Sequence, residues 1–342
     1  MAQANASKPP SRTLVMGTVL FYLVAALSMV MANKWVLNTT SAPLFFLLAQ
    51  LLVAIVLFLA ANAVGLIQIP LTITVEVARG LVPMVGLSTI GLSLSNYTLK
   101  YVDASFYQVA RGLVLPFTVA TSYVFLHSRP SLSILGACGI VTLGFFVGVF
   151  LDSVPLSIIG VSLGVISSSV TAVHSVVIKK ALEVVGGSAL HLSWYTNLLS
   201  VGVLVPLIVI MGEVPEISKL LFGAEGVEGA FGTFMWGSLI TGVIGFLMSI
   251  ASLLSIKVTS PITHMVSSAV RGVASALLGM SLFNDVLSTG RWSSIGIILG
   301  GSLYYTWVKH VETQNAAPAK GPYERVPMED VESGKKSPDR VD

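Results

Sequence analysis

Charge is what this chain has least of. Only 10% of its 342 residues are Asp, Glu, Lys or Arg, whereas 54% are hydrophobic and the mean hydropathy is +0.86. A soluble globular domain carries about 25% charged residues, so the composition excludes that class and fixes an integral membrane protein. The net charge of +3 comes from scattered basic residues, which form no stripe for a phosphate backbone and exclude nucleic acid as a partner. Cysteine is nearly missing. Cys138 stands alone in an apolar run, ruling out a disulfide framework or a metal–thiolate centre and leaving a packing role. The five histidines, His127, His174, His191, His264 and His310, make no i, i+4 pair and no H-E-x-x-H pattern. No catalytic or metal-binding set is therefore expected, and no cofactor.

Long apolar runs are abundant. A window of about 20 residues places ten spans near 13–36, 43–64, 80–98, 103–126, 132–151, 156–179, 190–212, 231–255, 260–283 and 291–309. The first run is longer than a signal-peptide core and has no small-residue cleavage pattern, so it is expected to stay in the mature protein. Arg79, Arg129, Lys179, Lys180 and Lys257 fall in connections on one side; Asp152, Glu213, Glu216, Glu225, Glu228 and Asp285 fall on the other. The positive-inside rule then puts both termini in the cytosol. The chain divides into a tail over 1–12, five helices over 13–151, five more over 156–311, and a polar, proline-bearing tail over 312–342 that reads as disordered. Glycines four or five residues apart inside spans, such as Gly144 and Gly148, Gly160 and Gly164, Gly237 and Gly242, and Gly296 and Gly300, predict close helix packing.

Two of the few charges stand out because they lie within apolar spans. Arg111 and Arg271 are each followed by glycine and each preceded by a lysine-bearing break, at Lys100 and Lys257. A permanent cation in hydrocarbon costs several kcal/mol unless it meets water or an anion, so both are expected to face a shared cavity where two related halves meet. Arg111 lies 11 positions after its lysine and Arg271 lies 14 after its own, a difference of about one helical turn. Such an offset is compatible with a shared site if each half presents one cation to a different part of an elongated ligand. Guanidinium forks match phosphate oxygens, which predicts a diphosphate or two phosphates as the ligand. Polar residues at depth, among them Tyr107, Gln108, His174, Asn197, Ser267 and Ser268, are candidates for the remaining contacts. Lys34 and Lys179, near span ends, are read as interfacial.

Several blocks resemble the nucleotide-sugar transporters of the drug/metabolite transporter superfamily, nearest to the Golgi GDP-fucose transporter branch. They are Asn33-Lys34-Trp35, Lys100-Tyr101-Val102 with Arg111 downstream, Ser260-Pro261-Ile262-Thr263-His264 with Arg271 downstream, and Tyr304-Tyr305-Thr306-Trp307-Val308. The resemblance implies an all-α fold of ten transmembrane helices in two inverted five-helix repeats. It also implies import of GDP-fucose into the Golgi lumen in exchange for GMP; other nucleotide sugars, GDP-mannose or UDP-galactofuranose, and a phosphorylated three-carbon metabolite are alternatives on the same fold. Residence in the endoplasmic reticulum is an alternative to the Golgi, and membrane lipid and a second copy of the chain are further partners it admits. Where the family has F-Y-N-N at the guanine, this chain reads Trp194-Tyr195-Thr196-Asn197, and Arg271 stands in the place of the family lysine. In such a cavity Arg271 and Arg111 are expected to meet the phosphates and Ser267, Ser268 and Tyr107 the sugar, with Gln108 and His264 lining it; the family motif places the base at Asn197, with Tyr195 and Trp194 as stacking partners.

Overall fold

The computed structural model describes the backbone of residues 12–152, 156–222, 228–258 and 261–316; the side chains of 12–15, 126, 179, 228–229, 250–258, 261–270 and 316 lie outside the described set. All regular structure among these residues is helical: α1 (Arg12–Leu37), α2 (Pro43–Ala63), α3 (Val75–Tyr101), α4 (Ala104–Gly112), α5 (Val114–Leu126), α6 (Leu132–Phe150), α7 (Ile158–Val184), α8 (Ala189–Ile210), α9 (Val214–Phe222), α10 (Glu228–Val258), α11 (Pro261–Phe283) and α12 (Thr289–Ala316). Seven of them, α1, α2, α3, α6, α7, α8 and α10, are long and apolar enough to cross a membrane. Local chemistry sets their starts. Thr74, Ser131, Ser157 and Ser188 each accept a hydrogen bond from the backbone N–H three residues on, and α2 opens on Pro43, where a missing N–H costs nothing.

Three elements differ from the sequence reading. The helix expected over 103–126 is broken at Leu113 into α4 and α5, because Pro116 has no N–H to give and its ring crowds the carbonyl four residues back, at Gly112. The acidic stretch after α8 contains a short helix, α9, carrying a Glu216–Lys219 pair at 2.9 Å. The last helix continues to Ala316, so the tail expected from 312 begins later, and the residues beyond 316 lie outside the description.

Successive long helices run antiparallel. Lys34, at the end of α1, donates to the Leu99 and Val102 carbonyls at the end of α3, at 2.9 and 2.8 Å. Glu213, just past α8, accepts from the Leu44 and Phe45 N–H groups that open α2, each at 3.0 Å. These contacts mark a distal end; the start of α1 and the end of α12 lie at the other, proximal end. The tightest packing joins α6 to α12 and α3 to α7, and glycine permits it. A Cβ at Gly144 would meet Ile298 at 2.8 Å, and one at Gly160 would meet Val102 and Tyr101, at the end of α3, at 2.5 and 3.1 Å. The pair at Gly296 and Gly300, expected to do the same, faces open space, and Gly301 instead lies against Val141.

The closest approach to backbone is at the start of α12, where Gly290 rests on the Leu151 carbonyl. Since backbone blocks the site, Gly290→Ala must push α12 off α6, and overpacking of this kind costs about 1–3 kcal/mol. Thermal unfolding of the detergent-solubilised protein is expected to show a lowered midpoint for Gly290→Ala and none for Gly296→Ala.

Candidate functional site: two arginines above a stitched distal end

α4 runs from the distal end inward and α11 runs toward it. Gln108 of α4 donates to the Ser275 hydroxyl of α11 at 3.1 Å, which fixes the relative height of the two helices. Arg111 is three residues proximal of that bond and Arg271 four, so at 1.5 Å per residue the two Cα atoms rise about 4.5 and 6 Å above it. The arginines therefore share one level. The one-turn offset counted from Lys100 and Lys257 does not persist in space, because the lysines belong to breaks at opposite ends of an antiparallel pair.

Each guanidinium is held by a tyrosine. Arg111 donates to the Tyr107 hydroxyl at 3.0 Å and lies 5.6 Å from that ring's centroid. Arg271 hydrogen-bonds Tyr22 of α1 and sits within electrostatic reach of Arg111. A phenol directs a guanidinium without cancelling its charge. Behind them Tyr107 bonds Ser95, and Ser95 meets Ser167 of α7 at 3.0 Å. Ser168 donates to the Ala110 carbonyl at 2.8 Å, tying α7 to the turn that carries Arg111. Tyr22 and Ser95 were not singled out in the sequence; each reads there as one more polar residue in an apolar span.

The other expected contacts divide. Trp194 and Tyr195 are 3% and 6% exposed, within a hydrophobic cluster. The Trp194 indole N–H donates to the Pro70 carbonyl at 2.8 Å and the Tyr195 hydroxyl to that of Thr72 at 3.0 Å. Both side chains thus pin the α2–α3 connection at the proximal end. Asn197 is half-buried on the same helix, and nearby in sequence the Thr196 hydroxyl is buried without a hydrogen-bond partner among the described residues, as is Nε2 of His174 on α7. The side chains of Ser267, Ser268 and His264 lie outside the described residues.

Distal of the arginines the two helices are sewn together by groups that the sequence placed at span ends and in the breaks between spans. Ala104 packs against Gly279, and the Ser105 N–H donates to Asp285 at 3.4 Å. Beyond them Arg291, wholly buried, donates from Nε and Nη2 to Asp152 at 2.8 and 2.6 Å. Its Nη1 donates to Asp103 at 2.9 Å and to the Ser105 hydroxyl at 2.8 Å. Ser288 donates to the other Asp152 oxygen at 2.7 Å while accepting the Arg291 N–H at 3.1 Å. Burial, with Asp103 adding like charge, pushes the Asp285 carboxyl above its ordinary range. Lys34, expected at the interface, is 6% exposed and capped onto α3 carbonyls within this region.

Long apolar helices packed side by side define a multi-pass membrane protein. The Triose-phosphate Transporter family model matches residues 12–306, and the chain belongs to that family of transporters. It is 32% identical over 305 residues to GDP-fucose transporter 1 of Monosiga brevicollis, covering 86% of this chain and 90% of that one. It is 30% identical over 309 residues to the Golgi GDP-fucose transporter of Drosophila melanogaster, covering 86% and 89%. A protein of known crystal structure shares the fold at a TM-score of 0.52 and 14% identity, over 88% of this chain and 100% of its own.

Truncating Asp152 to alanine leaves Arg291 buried with only its weaker carboxylate. Breaking a buried pair in this way costs about 3–5 kcal/mol, so Asp152→Ala is expected to lose most folded protein, as read by size exclusion of the solubilised membrane fraction.

Proposed function

We propose that the chain is a nucleotide-sugar antiporter of the Golgi membrane that carries GDP-fucose from cytosol to lumen in exchange for GMP. The observation that carries this reading is the pair Arg111 and Arg271 at one level on facing helices, each aimed by a tyrosine hydroxyl. Two planar forks at one depth suit the two phosphoryl groups of a diphosphate. GDP-fucose as the solute follows the relatives' names. Asn197 is assigned to the base, with Thr196 and His174 offering the polar atoms that lack a protein partner; Trp194 and Tyr195 serve the scaffold. Ser267 and Ser268, with Tyr107, are assigned to the sugar, and His264 to the lining of the cavity.

The same reading takes ten helices through the bilayer, the seven long apolar ones together with α4–α5, α11 and α12, as two inverted repeats. Packing supports the repeat: α3 lies along α7 as α1 lies along α10, and α2 meets α10 as α8 meets α3. With the termini cytosolic, the distal end is lumenal and the cavity opens to the cytosol, where the nucleotide sugar is. Exchange follows from charge. An empty carrier would have to occlude two repelling cations in low dielectric, whereas GMP returning from the lumen supplies the anion.

Proteoliposomes loaded with GMP and offered labelled GDP-fucose, GDP-mannose or UDP-galactofuranose test the assignment. Arg271→Gln is expected to abolish GDP-fucose uptake with normal membrane insertion, and Arg271→Lys to retain part of it, since charge survives and the fork does not. Uptake of a uridine-linked sugar driven by UMP, with none of GDP-fucose, would refute the guanine assignment.

A further inference from the structure

Arg291 holds two carboxylates that are not equivalent. Asp152, at the end of α6, takes Nε and Nη2 together, and both side chains of that pair are 0% exposed. It belongs to the α6–α12 contact, where glycines bring the backbones together and Ser294 donates to the Gly144 carbonyl at 2.7 Å. Asp103 takes a single N–H at 2.9 Å and is 37% exposed at its side chain. It sits in the short turn between α3 and α4, which meets the α11–α12 connection through Ser105 and Asp285.

We infer that Asp103 is the releasable latch of the distal gate, and that Asp152 is the permanent counterion that makes release cheap. When the α3–α4 turn leaves the α11–α12 connection, the polar groups that part are Asp103 and Ser105 from Arg291, Ser105 from Asp285, and Gln108 from Ser275, and the apolar contacts of Ala104 with Gly279, Val109 with Gly148 and Gly112 with Ile298 loosen with them. Arg291 stays paired throughout, because Asp152 moves with it on the α6–α12 unit. A buried guanidinium stripped of every carboxylate would oppose opening by several kcal/mol; one that gives up a half-exposed, single-bond partner opposes it far less. Fixed and detachable acids on one arginine thus give a closure that is tight yet reversible. Lys34 contributes from the fixed side of the turn, since it caps the α3 carbonyls of Leu99 and Val102, and the turn travels with α3 as a body.

The test reports opening without any substrate. In a Cys138→Ala background, Ser95→Cys places one thiol at the arginine level, proximal of the stitched segment. In sealed proteoliposomes of known orientation, a membrane-impermeant maleimide is added on the side opposite a C-terminal tag. With the latch intact, labelling from that side is slow. Asp103→Asn is expected to raise it between about twofold and tenfold, and Asp103→Glu to return it to the parent rate. Ser105→Ala, which removes only a hydroxyl from the same N–H group, is the gentler variant and should shift labelling in the same direction. Unchanged or lowered distal labelling in both Asp103→Asn and Ser105→Ala, with protein that elutes intact, overturns the latch. The inference rests on the carrier reading, and the two fail separately. A wrong solute leaves these rates as they are and shows only as a failure of GDP-fucose and GMP to change them.

Discussion

Everything at the distal end depends on keeping the Arg291 guanidinium charged while it is fully buried. Its five N–H donors need acceptors, and the fold answers with Asp152, Asp103 and the Ser105 hydroxyl. Those acceptors come from three different places in the chain, the end of α6 and the turn and first residues that open α4, while the cation itself opens α12. Satisfying one side chain therefore fixes where four helix ends lie. Glycine at 290 completes the arrangement by letting the α12 backbone rest on the Leu151 carbonyl beside Asp152.

The arginines of the cavity obey a different logic. Arg111 and Arg271 are oriented by tyrosines and lie close enough to repel. Arg291 is neutralised by protein, and its charge is spent on structure. Arg111 is directed by a phenol, Tyr107, which leaves its charge in place. The same residue type thus meets two acids at one level and a tyrosine one level above it.

Much of the class and the candidate site was legible in the chain. Scarce charge and long apolar runs gave the membrane class; arginines within spans pointed to a shared cavity; and family-like blocks around Lys100, Arg111, Pro261 and Arg271 led to a transporter family that the whole-chain comparison supports. Trp194 and Tyr195 show the limit of such reading. An aromatic pair beside Asn197 looks like a base platform, but whether a ring stacks on a ligand or pins a loop depends on what lies opposite, and here the carbonyls of Pro70 and Thr72 do.

Arg291 shows the limit more sharply. In sequence it is an ordinary basic residue at the edge of an apolar span, as Asp152 and Asp103 are ordinary acids at the edges of others, and edge charges usually reach water. Composition and periodicity by themselves determined that this chain lives in a bilayer as packed helices and that a few cations lie within its apolar spans. Only the tertiary structure decided which cation meets acids and which two helices share a level. The acid pairings reach across 139 and 188 residues of chain and the bond that levels the helices across 167, and an interaction at such separation leaves no period or spacing for a sequence to display.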